Sequence, residues 1–291
     1  MEALNDPMHA LVSELSLRDD TPNEKPTGPT KGVVPNGGLV DTLDALKSLT
    51  AHLLAAKTEI AVDFEGVDLC RDGELCLVQI SDGETTWLVD VHVLGRAAFD
   101  EDGGGLRELF ESTAVMKVGY DGRADADALF HLFGTRLKHF YDVQIASCMR
   151  QDAEQDHKDR FVHGLKRAME AHLTCDRARG RELARIKDEG RKLFAPEKGG
   201  SYDVWKERPM PEALARYATS DVSLLLEMKK AWQKYSPVEI NCSNAQRRID
   251  KALNANRPAK GRHLALRDFT CLPAYKPLVP HRRTHDDDDE F

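Results

Sequence analysis

The spacing of apolar positions changes along the chain and predicts where helices and strands lie. The run of residues 41–57 carries apolar side chains at helical spacing, and Asp41 is a suitable N-cap for that helix. Three runs rich in Val, Leu and Ile follow, at residues 59–67, 74–82 and 85–93. The short glycine-containing links between these runs predict an antiparallel meander of three strands.

From residue 106 onward the pattern alternates between the two periodicities. LRELFES (106–112) predicts a helix, AVMKVGY (114–120) predicts a strand, and ADADALFHLFG predicts a helix that ends at Gly134. KHFYDV (138–143) predicts one more short strand, and helical spacing then continues to about Tyr235. Strands followed by alternating strands and helices predict an α/β fold with a mixed sheet and helices on its faces.

Both ends of the chain lack this periodicity. Residues 1–38, rich in Pro, Gly and Thr, predict an N-terminal tail. Residues 236–291 predict an irregular, basic extension with an acidic end, which leaves residues 39–235 as the central domain. Within that domain, the highly charged stretch of residues 150–201 predicts an additional exposed helix.

Composition excludes several classes of protein. The 291 residues suffice for a buried core, and no apolar run reaches the roughly 18–20 residues that span a bilayer. The six cysteines show no CxxC spacing, which disfavours a zinc site and favours reduced thiols in an intracellular protein, nuclear or cytoplasmic. The first twenty residues do not resemble a signal peptide. A net charge of −8 argues weakly against a nucleic-acid partner.

The first candidate for chemistry is the pair Asp63 and Glu65 in the run AVDFEG. Residues i and i+2 of a strand point to the same side, so the two carboxylates would project together beside apolar neighbours. Buried carboxylates need a compensating partner, and a divalent metal is one such partner. The alternative is that the strand ends at Val62 and both acids are solvated.

Two further acidic positions stand in the helical part of the sequence. Tyr217 and Asp221 are four residues apart and share one side of a helix. Asp125 lies near the start of the helix after strand 114–120, where an acid can also serve as a cap, and Asp121 and Asp127 compete with it for a catalytic role.

The order and spacing of these motifs resemble the DEDD superfamily of 3′–5′ exonucleases, in its tyrosine-containing branch of ribonuclease D and Werner-type domains. AVDFEG resembles the first motif, KVGYDGRADADALF the second and RYATSDVSLLL the third, with WKERP upstream of the third resembling the family's WxxRP segment. Finer details resemble the eukaryotic exonuclease-domain proteins that include Egalitarian. The resemblance covers roughly residues 40–235 and implies a ribonuclease H-like fold.

The resemblance also implies the roles of five residues and a cofactor. Asp63, Glu65, Asp125 and Asp221 would hold two Mg²⁺ or Mn²⁺ ions, and Tyr217 would orient the attacking water. A phenol with a pKa near 10 is a poor general base at neutral pH, which favours this positioning role. The implied reaction is hydrolysis of nucleic acid from a single-stranded 3′ end to nucleoside 5′-monophosphates, with RNA favoured over DNA.

Substrate contacts must come from positive charge outside the acidic centre. The candidate substrate contacts are Tyr120, Arg123 and Lys166. Ribonuclease D relatives often have His at the position of Tyr120. Residues 240–285 carry ten basic residues against two acidic ones, a net charge of +8, and either bind nucleic acid or form a solvated tail. The acidic run at 286–290 is a disordered terminus or a competitor that folds over the basic segment.

Two functions remain open from the sequence. A metal-dependent exonuclease is favoured because all four acids and the tyrosine are present. The alternative is a non-catalytic RNA-binding scaffold with the same fold. The four site acids and five tail acids account for the negative net charge, so that charge no longer argues against a nucleic-acid partner.

Overall fold

A single six-stranded mixed sheet forms the centre of the protein. The computed structural model describes residues 37–100, 102–155 and 161–267. The strands are β1 (Gly38–Val40), β2 (Ile60–Val67), β3 (Glu74–Ser81), β4 (Thr86–Asp90), β5 (Lys117–Gly119) and β6 (Phe140–Asp142). Their order in the sheet is β1-β4-β3-β2-β5-β6, with the β2–β3–β4 meander antiparallel and the other pairs parallel. The predicted mixed sheet and its antiparallel meander are confirmed.

Helices cover both faces of this sheet. Within the described ranges they are α1 (Leu43–Ala56), α2 (Val91–Leu94), α3 (Leu106–Glu111), α4 (Arg123–Phe133), α5 (Val143–Gln155), α6 (Leu165–His172), α7 (Arg177–Phe194), α8 (Glu212–Val222), α9 (Leu225–Trp232) and α10 (Val238–Leu253). Short 3₁₀ segments connect several of them, including Tyr202–Lys206 and Arg262–Ala265. None of the helices in these ranges is long and apolar enough to cross a membrane.

Local capping sets several boundaries that the sequence pattern missed. Thr42, not Asp41, is the N-cap of α1, because its hydroxyl accepts the N–H of Ala45 and the helix begins one residue later than expected. The strand predicted over 85–93 ends at Asp90, whose carboxylate accepts the N–H of Val93 and starts α2. Gly134 ends α4 in the left-handed conformation (φ 68°), as predicted.

Alternation along β2 assigns its side chains to two different surroundings. Ile60, Val62 and Phe64 belong to the core that α1, α3 and α4 complete. Ala61 instead belongs to the core under α5, α6 and α9 on the opposite face. Because side chains alternate along a strand, Asp63 and Glu65 share the face of Ala61.

Helix α7 corrects the prediction of an additional exposed helix. Its residues Leu183, Ile186, Lys187 and Gly190 are buried, and the helix packs against α8. The density of charge along this segment concealed an apolar stripe at helical spacing.

Helix α10 corrects the prediction that residues 236–291 are irregular. Ala245 and Ile249 join the main core, and Asn241 accepts the N–H of Asp142 at 2.7 Å. Arg248 is buried in an ion pair with Asp142. Polar residues with buried partners replace part of the apolar stripe, so periodicity could not reveal this helix. The predicted N-terminal tail, except Gly37 and Gly38, and the acidic end lie outside the described residues, and the domain boundaries stay predictions.

Candidate active site

Three carboxylates meet on the face of the sheet that α8 covers. One carboxylate oxygen each of Asp63, Glu65 and Asp221 lies within 4.8 Å of the other two. β2 supplies the first two residues through its alternation, and α8 brings Asp221 over them. Asp221 is buried, whereas Asp63 and Glu65 remain partly exposed, so the group opens to solvent.

The two oxygens of Asp221 have different surroundings. Oδ1 accepts a hydrogen bond from the ammonium group of Lys187 in α7. Oδ2 is buried and has no hydrogen-bond partner among the described residues. A buried acceptor without a partner is costly, and here it lies within a group of other acids.

Burial raises the pKa of Asp63 and of Glu65 well above their usual values. For Asp63, repulsion from Asp221 adds to this shift, and the positive charge of Lys187 opposes it. For Glu65, repulsion from Asp63 and Asp221 adds to the effect of burial, and Lys187 again opposes it. Full ionisation of the cluster would therefore place more negative charge there than one lysine balances, and bound cations would stabilise that ionised form.

Asp125 lies beside this cluster, in the first turn of α4. Burial raises its pKa, and repulsion from Asp63 contributes next. The two alternative acids have other partners. The carboxylate of Asp127 accepts hydrogen bonds from the backbone N–H and the guanidinium group of Arg71, and Asp121 pairs with Arg123. The geometry therefore favours Asp125 over both alternatives as the fourth acid.

Tyr217 lies one helical turn before Asp221 on α8. Its ring centroid is 5.0 Å from that of Phe194 and 6.3 Å from that of Trp205, which limits its rotation. Burial, followed by repulsion from Asp221, raises the pKa of Tyr217 far above its ordinary value. A raised pKa favours the protonated hydroxyl, which suits the positioning of a water.

The WKERP segment fixes the approach to α8. Trp205 is buried against Phe194 and Tyr217. Arg208 forms a bidentate pair with the buried carboxylate of Asp90, with Nη2 at 2.6 Å from Oδ1. This segment therefore anchors the start of α8 to the end of β4 and supports the position of Tyr217.

The donor set of the cluster fits a hard divalent cation. Its free ligands are carboxylate oxygens, which Mg²⁺ and Mn²⁺ prefer, and Asp221 Oδ2 is an acceptor without a partner among the described residues. One lysine cannot balance Asp63, Glu65, Asp125 and Asp221. The residues present therefore match what such an ion requires.

Lys187 contacts the cluster through Asp221, and none of the predicted motifs contains it. Only 4% of this residue is exposed, and its Nζ lies 4.0 Å from the centroid of the Tyr217 ring. One feature of the sequence could have revealed it. Lys187 falls on the same side of the helix as Leu183, Ile186 and Gly190, and a lysine on a buried side needs an acidic partner.

The three predicted substrate contacts occupy different surroundings. Tyr120 is nearly buried and donates its hydroxyl hydrogen to the carbonyl oxygen of His163 at 2.6 Å, so this group already has a structural bond. Arg123 is buried and binds the carboxylate of Asp121 and the carbonyl of Leu264. Lys166 is exposed on α6, and its Nζ lies 3.8 Å from Oε1 of Glu170. Contact of these residues with substrate stays a prediction.

A basic pocket of about 480 Å³ begins at Arg123, in the same first turn of α4 as Asp125. Its charged lining residues are Arg123, Arg248, Lys251, Arg257 and Arg267, and no acidic residue of the described ranges lines it. Lys251 and Arg257 are exposed. Helix α10 and the segment after it therefore bring part of the basic extension next to the helix that carries Asp125.

Comparisons with known proteins agree with this architecture. The family profile described as 3′–5′ exonuclease matches residues 38–235. The chain is 24% identical over 214 residues to the Mus musculus piRNA biogenesis protein EXD1, covering 73% of this chain and 35% of that protein. It is 28% identical over 192 residues to ribonuclease D of Acidiphilium cryptum, covering 66% of this chain and 41% of the relative. The chain thus spans about two fifths of the length of these relatives.

Solved structures share the fold. Trypanosoma brucei RNase D in complex with RNA U12 superposes with a TM-score of 0.57 at 22% identity, covering 78% of this chain and 74% of that one. Escherichia coli RNase D gives a TM-score of 0.54 at 21% identity, covering 76% and 52%. The predicted ribonuclease D-like resemblance is confirmed. The chain belongs to the 3′–5′ exonuclease family.

Proposed function

We propose that this protein is a metal-dependent 3′–5′ exonuclease that acts on single-stranded nucleic acid, RNA rather than DNA, and releases nucleoside 5′-monophosphates. The observation that carries this proposal is the cluster of Asp63, Glu65 and Asp221, whose ligand oxygens converge within 4.8 Å. The buried Oδ2 of Asp221, without a partner among the described residues, adds to it. Such an arrangement is costly for folding alone and useful for holding cations.

In this proposal Asp63, Glu65 and Asp221 hold Mg²⁺ or Mn²⁺, and Asp125 supports a second ion. When bound, divalent ions activate a water and neutralise charge on the leaving oxygen. Tyr217, kept protonated by its surroundings, orients the attacking water through its hydroxyl. Trp205 and Phe194 hold the tyrosine ring in place for this task.

The preference for RNA draws on the relatives. The structural neighbour from Trypanosoma brucei is an RNase D in complex with RNA U12, and the EXD1 relatives are described as piRNA biogenesis proteins. The exposed Lys251 and Arg257 of the basic pocket would supply positive charge for the phosphate backbone, next to the helix that carries Asp125.

A non-catalytic RNA-binding scaffold is the second candidate, and the position of Lys187 favours it. Its ammonium already provides a positive charge within the acidic cluster. In a scaffold, such an ion pair would serve to hold α7 against α8, and the basic pocket would bind RNA without cleavage.

A labelled single-stranded oligonucleotide separates the two functions. We expect the protein to shorten 5′-labelled RNA to a ladder with Mg²⁺ or Mn²⁺, to shorten matched DNA more slowly, and to lose all activity in EDTA. Asp63→Asn should abolish cleavage, because it removes a charged ligand at nearly constant shape. Asp68→Asn, at an exposed acid outside the cluster, should leave the rate unchanged. Binding without shortening would support the scaffold instead.

A further inference from the structure

The ammonium group of Lys187 touches the carboxylate cluster directly. The Lys187 and Asp221 side chains are 5% and 6% exposed, so water screens their pairing only weakly. The ammonium also lies over the ring of Tyr217, at 4.0 Å from its centroid. Lys187 therefore contacts two residues of the proposed active site, a metal ligand and the tyrosine that would orient water.

The packing of two helices fixes the lysine in this place. A Cβ atom on Gly190 would lie 2.4 Å from Cβ of Tyr217, so α7 and α8 approach closely at this point and leave no room there for a side chain. Lys187 precedes Gly190 by three residues and Asp221 follows Tyr217 by four, so the two pairs stack along one antiparallel helix contact. The side chain of Lys187 has little freedom to move away from Asp221.

We propose that Lys187 is a positioning residue that sets the metal affinity of the carboxylate cluster. This inference rests on the metal-dependent function proposed above. The lysine holds Asp221 by Oδ1, which leaves Oδ2 for a cation, and its fixed positive charge repels an incoming divalent ion. It thereby makes the apo cluster tolerable to the fold and keeps metal binding weaker than four carboxylates alone would make it.

The test is the dissociation constant of Mn²⁺ for the full chain, measured from the EPR signal of free Mn²⁺. Lys187→Gln removes the charge and keeps a hydrogen-bond donor, whereas Lys187→Met removes both. We expect both variants to bind Mn²⁺ about fivefold or more tightly than the wild type, because a nearby positive charge is gone. Metal should also raise their melting temperatures by more than it raises that of the wild type.

Lys229 provides a matched control. It is also a buried lysine, it pairs with the carboxylate of Glu59, and it lies over a tyrosine ring, that of Tyr141 at 5.5 Å. Its ion pair lies outside the carboxylate cluster. Lys229→Met should lower the melting temperature of the apo protein and leave the Mn²⁺ dissociation constant unchanged.

The outcomes distinguish this inference from the function on which it rests. If the wild type binds Mn²⁺ and the Gln variant binds it equally or more weakly, the role of Lys187 is wrong and the metal site stands. If Met alone binds more tightly, hydrogen bonding rather than charge sets the affinity, and the inference also fails. If the wild type does not bind Mn²⁺, or if Asp63→Asn binds it as tightly as the wild type, both proposals fail.

Discussion

Individual residues in this protein take their chemical roles from what surrounds them. Tyr217 has neighbours that suppress its ionisation, since burial and nearby carboxylates raise the pKa of its hydroxyl. The same neighbours hold its ring, so the protonated hydroxyl is suited to the positioning of a water. Surroundings also separate Asp125 from Asp121 and Asp127, because those two acids already have arginine partners.

Tyr217→Phe should slow cleavage on the order of tenfold or more, because a lost positioning contact leaves the water misaligned. Mn²⁺ affinity should stay as in the wild type, since the hydroxyl is not a proposed ligand. Single-turnover rates and Mn²⁺ titrations on the same preparations measure the two effects. A wild-type rate in the variant would show that the hydroxyl does not contribute.

At the scale of elements, α7 and its contact with α8 shape the candidate site. The helix contributes Lys187 directly, and Gly190 permits the approach that places Tyr217. Its second glycine, Gly180, has more space, because an added Cβ would meet only Leu173 Cβ at 3.8 Å. One helix thus contains a glycine required by packing and a glycine that packing leaves free.

Gly190→Ala should push Tyr217 aside by about 1 Å, and a displacement of that size can reduce cleavage by about 10²-fold. Gly180→Ala is the control, and it should raise stability by up to about 1 kcal/mol because alanine favours a helix interior. Activity assays and urea unfolding of both variants test the contrast. Equal activity in the two variants would contradict the role given to the helix contact.

Across the whole molecule, charge is segregated rather than spread. The acidic cluster lies under α8, and the basic pocket begins at the first turn of α4 and extends along α10. Helix α10 is fixed to the sheet by the pair of Arg248 with Asp142 at the end of β6, and Lys251 in the same helix lines the pocket beside α4. A substrate strand held at the pocket would therefore lie close to the helix that carries Asp125.

Reversing two exposed charges of the pocket tests this arrangement. Lys251→Glu with Arg257→Glu should weaken binding of single-stranded RNA and lower its salt dependence by about one or two phosphate contacts. Lys47→Glu with Lys57→Glu, on and just after α1, makes the same change in net charge outside the pocket and should have little effect. Fluorescence anisotropy over a salt series measures both, and equal losses would indicate a nonspecific charge effect.

Much of the fold and of the acidic set followed from local pattern. Alternation along β2 placed Asp63 and Glu65 on one side, and helical spacing placed Tyr217 one turn from Asp221. The pattern of apolar residues did not predict buried positions that are occupied by charged side chains, because their partners lie far away in the sequence. Lys187 and Arg248 are buried because Asp221 and Asp142 neutralise them, and their segments therefore read as exposed or irregular.

The sequence by itself predicted the mixed sheet, because periodicity is a local property of a chain, and its motifs supplied the candidate acids through their resemblance to a known family. Tertiary structure decided which acids are free and which are paired, since charge compensation depends on side chains far apart in sequence. It pairs Asp121 and Asp127 with arginines and leaves Asp125 beside the cluster as the candidate fourth acid. It also brought Lys187 to the cluster, because only the close approach of α7 and α8 at Gly190 places a lysine against Asp221.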